Sequence, residues 1–315
     1  MISFLDFEKP IAELQARIAE LRATASGSEI DIGSEIARLE KKISAMLVAT
    51  YGKLTPWQKT QVARHPQRPH FLDYVRLVFT DFVPLGGDRL YGEDEAIIGG
   101  FATLDGRKVM LIGHEKGRDT ATRIKHNFGM AKPEGYRKAI RLMEMAGKFG
   151  LPVVTLVDTA GAFPGVEAEE RGQAEAIARS TEACLALGVP MVAAIVGEGG
   201  SGGAVAIASA NKVLMLEHSV YSVISPEGAS SILWRTPDKA ADAATAMKVT
   251  AQDLLGLGVI DGIVAEPLGG AHRDPEATAR ALADAISAEL GALTGLTSAD
   301  ILRQREDRFL AIGSL

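Results

Sequence analysis

Leu151-Pro152-Val153-Val154-Thr155-Leu156-Val157 is a short, almost unbroken apolar run, and it leads straight into Asp158-Thr159-Ala160-Gly161-Ala162-Phe163-Pro164-Gly165. A run of this length without polar alternation suits a strand covered on both faces, as in a parallel sheet. The same design recurs downstream: Pro190 to Val196 is apolar, and Gly197-Glu198-Gly199-Gly200-Ser201-Gly202-Gly203-Ala204 follows it. The segment between, from about Ala168 to Leu187, reads as a helix, a further helix is expected from Ser201, and Lys212 to Leu216 reads as another strand. Buried strands alternating with helices specify an α/β protein with a largely parallel sheet, whose ligands gather at the carboxyl ends of the strands. Both glycine-rich turns fall at those ends.

Upstream, Ala96 to Leu104 and Lys108 to Gly113 flank Asp105-Gly106-Arg107, the pattern of a tight β-hairpin. Pro133-Glu134-Gly135 opens a helix to about Phe149, with Ala139, Leu142, Met143 and Ala146 on one face. The N-terminal part differs. Ile11, Leu14, Ile18 and Leu21, then Ile36, Leu39, Ile43 and Met46, recur at helical spacing around a Ser-, Gly- and Asp-rich segment, Thr24 to Gly33. They predict a helical hairpin, either packed on its own domain or reaching out as a docking arm. The expected division is a hairpin over residues 1–55 and a main domain over residues 56–315. The tail, Asp274 to Leu310, is expected to form two helices, with Thr297 and Asp300 as a capping box.

The formal net charge of −6 argues against non-specific binding to nucleic acid or anionic membranes. The one cysteine, Cys184, reads as a buried structural thiol; it can form no internal disulfide, and no cysteine set is present for a zinc site. Met1 to Pro10 lacks signal or transit character, and no run approaches the roughly 20 apolar residues of a membrane span, so a cytoplasmic location is expected. Nucleophile-elbow, metalloprotease and phosphate-loop motifs are absent. The six histidines are scattered and are expected mostly as surface or packing residues.

A glycine-rich strand-to-helix turn lets backbone amides approach a ligand, and a helix N-terminus adds partial positive charge. Together they stabilise an oxyanion without a charged side chain. Gly197-x-Gly199-x-x-Gly202 also spells a dinucleotide fingerprint, but after a late strand rather than the first one. Three readings therefore stand in order: an oxyanion hole, a turn whose glycines serve packing alone, and a dinucleotide site.

Several further stretches carry a resemblance. They are Phe4-Leu5-Asp6-Phe7, Ala63-Arg64-His65-Pro66-Gln67-Arg68-Pro69, Asn127-Phe128-Gly129-Met130 and Pro133-Glu134-Gly135-Tyr136-Arg137-Lys138-Ala139. Ala168-Glu169-Glu170-Arg171-Gly172-Gln173, Gly197 to Ala204, Tyr221-Ser222-Val223-Ile224-Ser225-Pro226-Glu227-Gly228 and Glu266-Pro267-Leu268-Gly269-Gly270-Ala271-His272-Arg273 follow. In this order, over essentially the whole chain, they resemble the crotonase superfamily. Within it they resemble the α-subunit family of bacterial acetyl-CoA carboxylase carboxyltransferases. The resemblance implies crotonase-like repeated ββα units with an N-terminal helical hairpin and C-terminal helices. It also implies transfer of a carboxyl group from carboxybiotin, held on the biotin carboxyl carrier protein, to acetyl-CoA, giving malonyl-CoA for fatty-acid synthesis. No covalently bound cofactor and no metal are implied for this chain. A β subunit with a zinc ribbon would complete the site in an α2β2 heterotetramer, working with biotin carboxylase.

By the same resemblance, the N–H groups of Gly202 and Gly203 form the biotin-side oxyanion hole. Gly161, Phe163, Pro164 and Gly165, with Gly199, Gly200 and Ser201, would bind substrate. Two positions depart from the family's pattern: Ala160 stands where proline is common, and Glu167 where a small residue is common. Lys116, Arg118, Arg123 and Lys125 form a basic cluster, read either as a solvated loop or as a site near CoA phosphates or the subunit interface. Glu169, Glu170 and Arg171 are expected to begin the helix after the first turn, and Ser225-Pro226-Glu227-Gly228 to begin another. The competing readings are a stand-alone crotonase-type acyl-CoA hydratase, isomerase or decarboxylase, with Glu198 as the nearest catalytic carboxylate, and an NAD-binding module.

Overall fold

Eight strands form one sheet in a computed structural model that describes residues 3–25 and 33–313. They are β1 (Thr80–Pro84), β2 (Ile97–Leu104), β3 (Arg107–His114), β4 (Val153–Thr159), β5 (Met191–Gly200), β6 (Lys212–Leu216), β7 (Val220–Ser222) and β8 (Gly262–Val264). Their order is β1-β2-β3-β4-β5-β6-β8, with β7 paired to the end of β5. The first three are antiparallel neighbours, and from β3 to β8 the pairing is parallel. Asp105 and Gly106, at φ 47° and 79°, make the tight β2–β3 turn that an Asp-Gly pair supports.

All seven residues of β4 are buried, as the unbroken apolar run required. Side chains alternate between two cores. On one face Met110, Ile112, Val153, Val157, Ala193 and Ile195 meet Leu142, Met143 and Ala146 of the helix Pro133–Phe149. On the other face Leu111, Val154, Leu156, Val192 and Ala194 meet Leu282, Ile286 and Leu290 of the helix Pro275–Ala292. A layer of helices therefore covers each side of the central strands, and only their carboxyl ends remain for a ligand.

Two expectations need correction. The single helix read from Ala168 to Leu187 is two, Val166–Glu170 and Gln173–Leu185, because Gly172 takes a left-handed φ of 80° between them. Glu169 and Glu170 thus end a short helix rather than begin a long one. Likewise, Gly197 to Gly200 are not a turn. They extend β5, since Glu198, Gly199 and Gly200 pair with Val220, Tyr221 and Ser222 of β7. The chain reverses only at Gly200–Ser201, and the helix Ser201–Ala208 begins at once.

The helices Lys9–Ala25 and Gly33–Tyr51 pack through Ile11, Ile18, Leu39, Ile43 and Leu47. Residues 26–32 of the expected link Thr24 to Gly33, and Met1 and Ile2 of the acidic start, lie outside the described residues. At the base of this pair, buried Glu8 accepts hydrogen bonds from Tyr51 Oη at 3.0 Å and Arg273 Nη2 at 2.8 Å. Near the C-terminus, Thr297 and Asp300 form the capping box of the helix Ser298–Ala311. No helix among the described residues is long and apolar enough to cross a membrane.

Candidate active site

The first turn is shaped by its own side chains and by what surrounds it. Thr159 Oγ1 accepts the Gly161 N–H at 3.1 Å and donates to the Gly161 carbonyl at 2.7 Å. Phe163 N–H donates to the Ala131 carbonyl at 3.0 Å, and Gln173 Nε2 donates to the Phe163 carbonyl at 2.9 Å. Ala160, without the ring of a proline, is exposed on this turn.

The helix Ser201–Ala208 starts beside it. Its first four N–H groups, on Ser201, Gly202, Gly203 and Ala204, have no carbonyl to bond within the helix. The positive end of the helix dipole adds to them. Glycine is required here by close approach. A Cβ on Gly203 would lie 2.8 Å from Ala162 N and from the Gly161 carbonyl carbon, and one on Gly200 would lie 2.2 Å from the Ala160 carbonyl oxygen. The structure thus brings Ala160 against Gly200, and Gly161 and Ala162 against Gly203. Ser201 is exposed and Gly202 half-buried, so they face the opening, whereas Gly199 is enclosed by the Tyr221 ring.

Phe163, Pro164 and Gly165 lie to one side. The Phe163 ring folds back on Gly165, where a Cβ would meet it at 2.2 Å, and Lys132 Nζ sits 4.8 Å from the ring centroid. Glu167 is exposed and turned towards Lys132, 3.4 Å away. This departure therefore faces Lys132 across an ion pair.

Beneath the turns lies an ionic layer that the sequence reading did not assemble. Asp158, at the end of β4, is 1% exposed. Its carboxylate accepts the Glu198 N–H at 2.9 Å and meets Lys116 Nζ at 2.6 Å and His70 Nδ1 at 3.3 Å. Burial alone would raise its pKa, but Lys116, His70 and the Glu198 amide hold it well below the usual carboxylate range. Arg64 donates from Nε and Nη2 to Glu198 at 3.0 and 2.6 Å, and from Nη1 to Glu227 at 2.6 Å. Glu227 opens the helix Pro226–Trp234, which Ser225 Oγ caps by accepting the Gly228 N–H at 3.0 Å. Deeper still, Arg68 forks onto Glu266 at 2.9 and 2.6 Å and donates to the Val196 carbonyl at 2.7 Å. Glu198 is thus pinned by Arg64, and it is not a free general acid.

The basic cluster divides along the same lines. Lys116 pairs with Asp158, Arg118 with Asp73, and Lys125 with Glu95 at 3.4 Å. Arg123 donates to the Gly117 carbonyl at 3.4 Å, and its charge acts on Asp119. All six histidines are buried, contrary to the expectation that some lie at the surface. Burial disfavours the charged imidazole, and it pushes His114 and His272 down to about 3, so both are neutral in the folded interior. Cys184 is buried as expected, with its thiol pushed up to about 12 by burial.

Arg64, His70, Lys116, Arg123, Phe128 and Ala160 contribute to the lining of a cavity of about 240 Å³ at this end of the sheet. Arg64 and Phe128 stood in quoted motifs, but their convergence depends on contacts far apart in sequence.

Known proteins share this architecture and sequence. A family model described as acetyl co-enzyme A carboxylase carboxyltransferase-like matches residues 4–313. The acetyl-coenzyme A carboxylase carboxyl transferase subunit alpha of Erythrobacter litoralis (strain HTCC2594) is 74% identical over 313 residues, covering 99% of this chain and 100% of that relative. The protein of the same description from Zymomonas mobilis subsp. mobilis (strain ATCC 31821 / ZM4 / CP4) is 66% identical over the same shares. Among solved structures, a Pseudomonas malonate decarboxylase hetero-tetramer in complex with coenzyme A superimposes with a TM-score of 0.61 at 16% identity, covering 76% of this chain and 94% of that one. Transcarboxylase 12S gives a TM-score of 0.56 at 20% identity, covering 70% of this chain and 42% of that one. At such identities the likeness concerns the fold.

Proposed function

The chain belongs to the acetyl-CoA carboxylase carboxyltransferase family as an α subunit, and from that premise we propose which of its residues carry the transfer. It is a crotonase-type carboxyltransferase subunit, and its reaction moves a carboxyl group from biotin carried on a partner to acetyl-CoA. What supports this reading is the close approach of Gly203 to the first turn, where there is no room for a Cβ: one would lie 2.8 Å from Ala162 N. In this reading the amides of Gly202 and Gly203, in the first turn of the helix Ser201–Ala208, serve one oxyanion beside Gly161 and Ala162.

A ureido ring fits this place. The ring supplies a carboxylated nitrogen and an oxygen that gains negative charge when the carboxyl group leaves. Gly202 and Gly203 N–H groups meet that charge, in a site where fixed dipoles need no rearrangement during reaction. The helix Ser201–Ala208 adds its positive end. Asp158 and Arg64 hold β4, β5 and the helix Pro226–Trp234 in one frame, so that the amides stay aimed.

One hole serves one oxyanion, while the thioester needs another. A β subunit with a zinc ribbon would supply it, in an α2β2 heterotetramer that also receives the biotin carboxyl carrier protein and depends on biotin carboxylase. Malonyl-CoA is the product, and the cytoplasm is the expected compartment. Exposed Ile232, Leu233 and Trp234, consecutive on the helix that carries Glu227, support a subunit surface close to the site. Residues 1–55 would act as an arm on the carboxyltransferase domain 56–315. A self-sufficient hydratase or isomerase is disfavoured because its catalytic carboxylate would be Glu198, which Arg64 holds.

The test is the reverse reaction, carboxyl transfer from malonyl-CoA to biocytin, by this chain alone and with its β subunit. Transfer by the mixture alone, lost in an assembled Gly203→Pro variant that lacks one amide donor, is the expected result. Transfer by the chain alone would overturn the shared site.

A further inference from the structure

Where the two glycine segments meet, a phenol is enclosed whose hydroxyl has no partner. Tyr136, on the helix Pro133–Phe149, is 0% exposed, and among the described residues nothing hydrogen-bonds its Oη. The hydroxyl lies at the contact itself. The point where Gly203 would carry a Cβ is 3.1 Å from Tyr136 Oη and 2.8 Å from both Ala162 N and the Gly161 carbonyl carbon. Thr159 Oγ1 holds Gly161 from one side of the turn, and Gln173 Nε2 bridges the carbonyls of Ala131 and Phe163 on the other. Gln173 Oε1 is itself buried without a partner, so the polar set around this turn is incomplete at two atoms. A buried hydroxyl without a partner destabilises the state that contains it, and protein interiors seldom keep one. Phenylalanine would fill the same space without that cost. Burial, with the Asp94 carboxylate second, holds the phenol far above its ordinary pKa, so Tyr136 remains protonated and able to donate.

We propose that Tyr136 is a positioning residue for the transfer, its hydroxyl bonding the Gly161–Ala162 peptide only in the reacting complex; this rests on the carboxyltransferase reading above. The turn has the freedom to reach it. Gly161 sits at φ 149°, where only glycine is at ease, and Ala160 before it lacks the ring that would fix the backbone. A phenol hydroxyl both donates and accepts, so it serves either the carbonyl or the N–H of that peptide. Negative charge growing beside Gly202 and Gly203 draws the adjoining turn in, and the hydroxyl gains the bond it lacks in the resting protein. An interaction made in the transition state and not in the ground state raises kcat and leaves KM alone. Tyr136 touches no substrate in this scheme: its Oη is enclosed and acts through the turn.

The experiment uses the assembled complex with its β subunit and follows carboxyl transfer from malonyl-CoA to biocytin. Wild type is compared with Tyr136→Phe, Thr159→Val and the double variant, and urea unfolding of each is measured alongside. For Tyr136→Phe the expected result is a kcat roughly tenfold lower, the worth of one hydrogen bond in the transition state. KM for both substrates should be unchanged, and the urea midpoint should be no lower than that of wild type. In the Thr159→Val background the same peptide has already lost a restraint, so the loss on adding Tyr136→Phe should shrink well below tenfold. A wild-type kcat in Tyr136→Phe would overturn the proposal. So would a lowered urea midpoint, which would show that the hydroxyl is already bonded in the resting protein, to the chain or to a fixed water. Fully additive losses in the double variant would place its action away from the Gly161–Ala162 peptide and overturn it too. Each of these leaves the carboxyltransferase reading intact while the wild-type complex transfers to biocytin; absence of that transfer would remove both.

Discussion

The N–H of Glu198 donates to the carboxylate of Asp158 at 2.9 Å, joining the carboxyl ends of β4 and β5 through a side chain as well as through the sheet. Gly197 makes room for this: a Cβ there would lie 2.4 Å from Asp158 Oδ1. The two glycine-bearing segments are consequently one rigid piece. Neither can shift without dragging the other, which is what amides aimed at a developing charge require.

Asp158→Asn tests that coupling. An asparagine still accepts the Glu198 N–H, but it leaves half-buried Lys116 with only Glu198, 3.9 Å away. Breaking a fully buried pair on one side costs about 3–5 kcal/mol, and somewhat less is expected here because Lys116 is half-buried, whereas removing both charges costs far less. Asp158→Asn should therefore lower thermal stability strongly, and the double variant Asp158→Asn/Lys116→Met should recover most of it. Additive losses in a double-mutant cycle would show that the pair does not act as a unit.

Gly203→Ala keeps the amide donor and changes only the fit. Its Cβ would press on Ala162 N, the Gly161 carbonyl carbon and, at 3.1 Å, Tyr136 Oη. Overpacking of this kind costs roughly 1–3 kcal/mol. The displaced turn should also lower kcat by about 10²-fold, the scale of losing one oxyanion donor. A variant with wild-type kcat in the reverse reaction would mean that the turns need not touch.

The regular parts of this fold were legible because their signals are local. The unbroken run in β4, the Asp-Gly hairpin, the helix Pro133–Phe149 and the Thr297 cap each depend on residues a few positions apart. The Gly172 break and the extension of β5 through Gly200 were not legible. One needs a backbone angle that sequence periodicity does not report, and the other depends on β7, some twenty residues downstream. The site divided likewise. Its glycines stood in one string, but Arg64 reaches Glu198 across 134 positions and His70 reaches Asp158 across 88. Buried histidines misled for a physical reason: a neutral imidazole packs like an aromatic ring, as the stacked pair His65 and His272 does at 3.7 Å.

Those histidines set the acid response. The His114 pKa lies near 3 in the folded state, against 6.5 ordinarily, because burial disfavours its cation. A group depressed in this way contributes stability that is complete above pH 6.5 and is lost as pH falls towards 3. Glu266 opens a second window of the same sign. Burial opposes its charge, but Arg68 outweighs that and holds it at about 2 against 4.5, so its contribution is lost below pH 4.5. Urea unfolding should weaken from pH 7 to 5 at up to about 1.4 kcal/mol per pH unit for each such histidine. His114→Leu should make that slope shallower. A stability that stays flat down to pH 5 would contradict the assignment of buried neutral histidines.

Arg305 offers the contrasting case, a buried cation remote from the chemistry. It is 0% exposed on the C-terminal helix. Its Nη1 donates to the carbonyls of Cys184 at 2.8 Å and Leu187 at 2.6 Å, and its Nη2 donates to that of Val189 at 3.1 Å. It thereby caps the helix Gln173–Leu185 and the loop that enters β5, at the amino end of the strand rather than the end holding Glu198. Arg305→Met fills much of the volume but leaves several buried carbonyls without donors, each costing about 1–3 kcal/mol. The expected outcome is a loss of about 3 kcal/mol or more in urea unfolding. The kcat of the folded complex should be unchanged at temperatures well below its Tm. A fall in kcat without a fall in stability would place Arg305 in communication with the glycine turns, which no bond in this network provides.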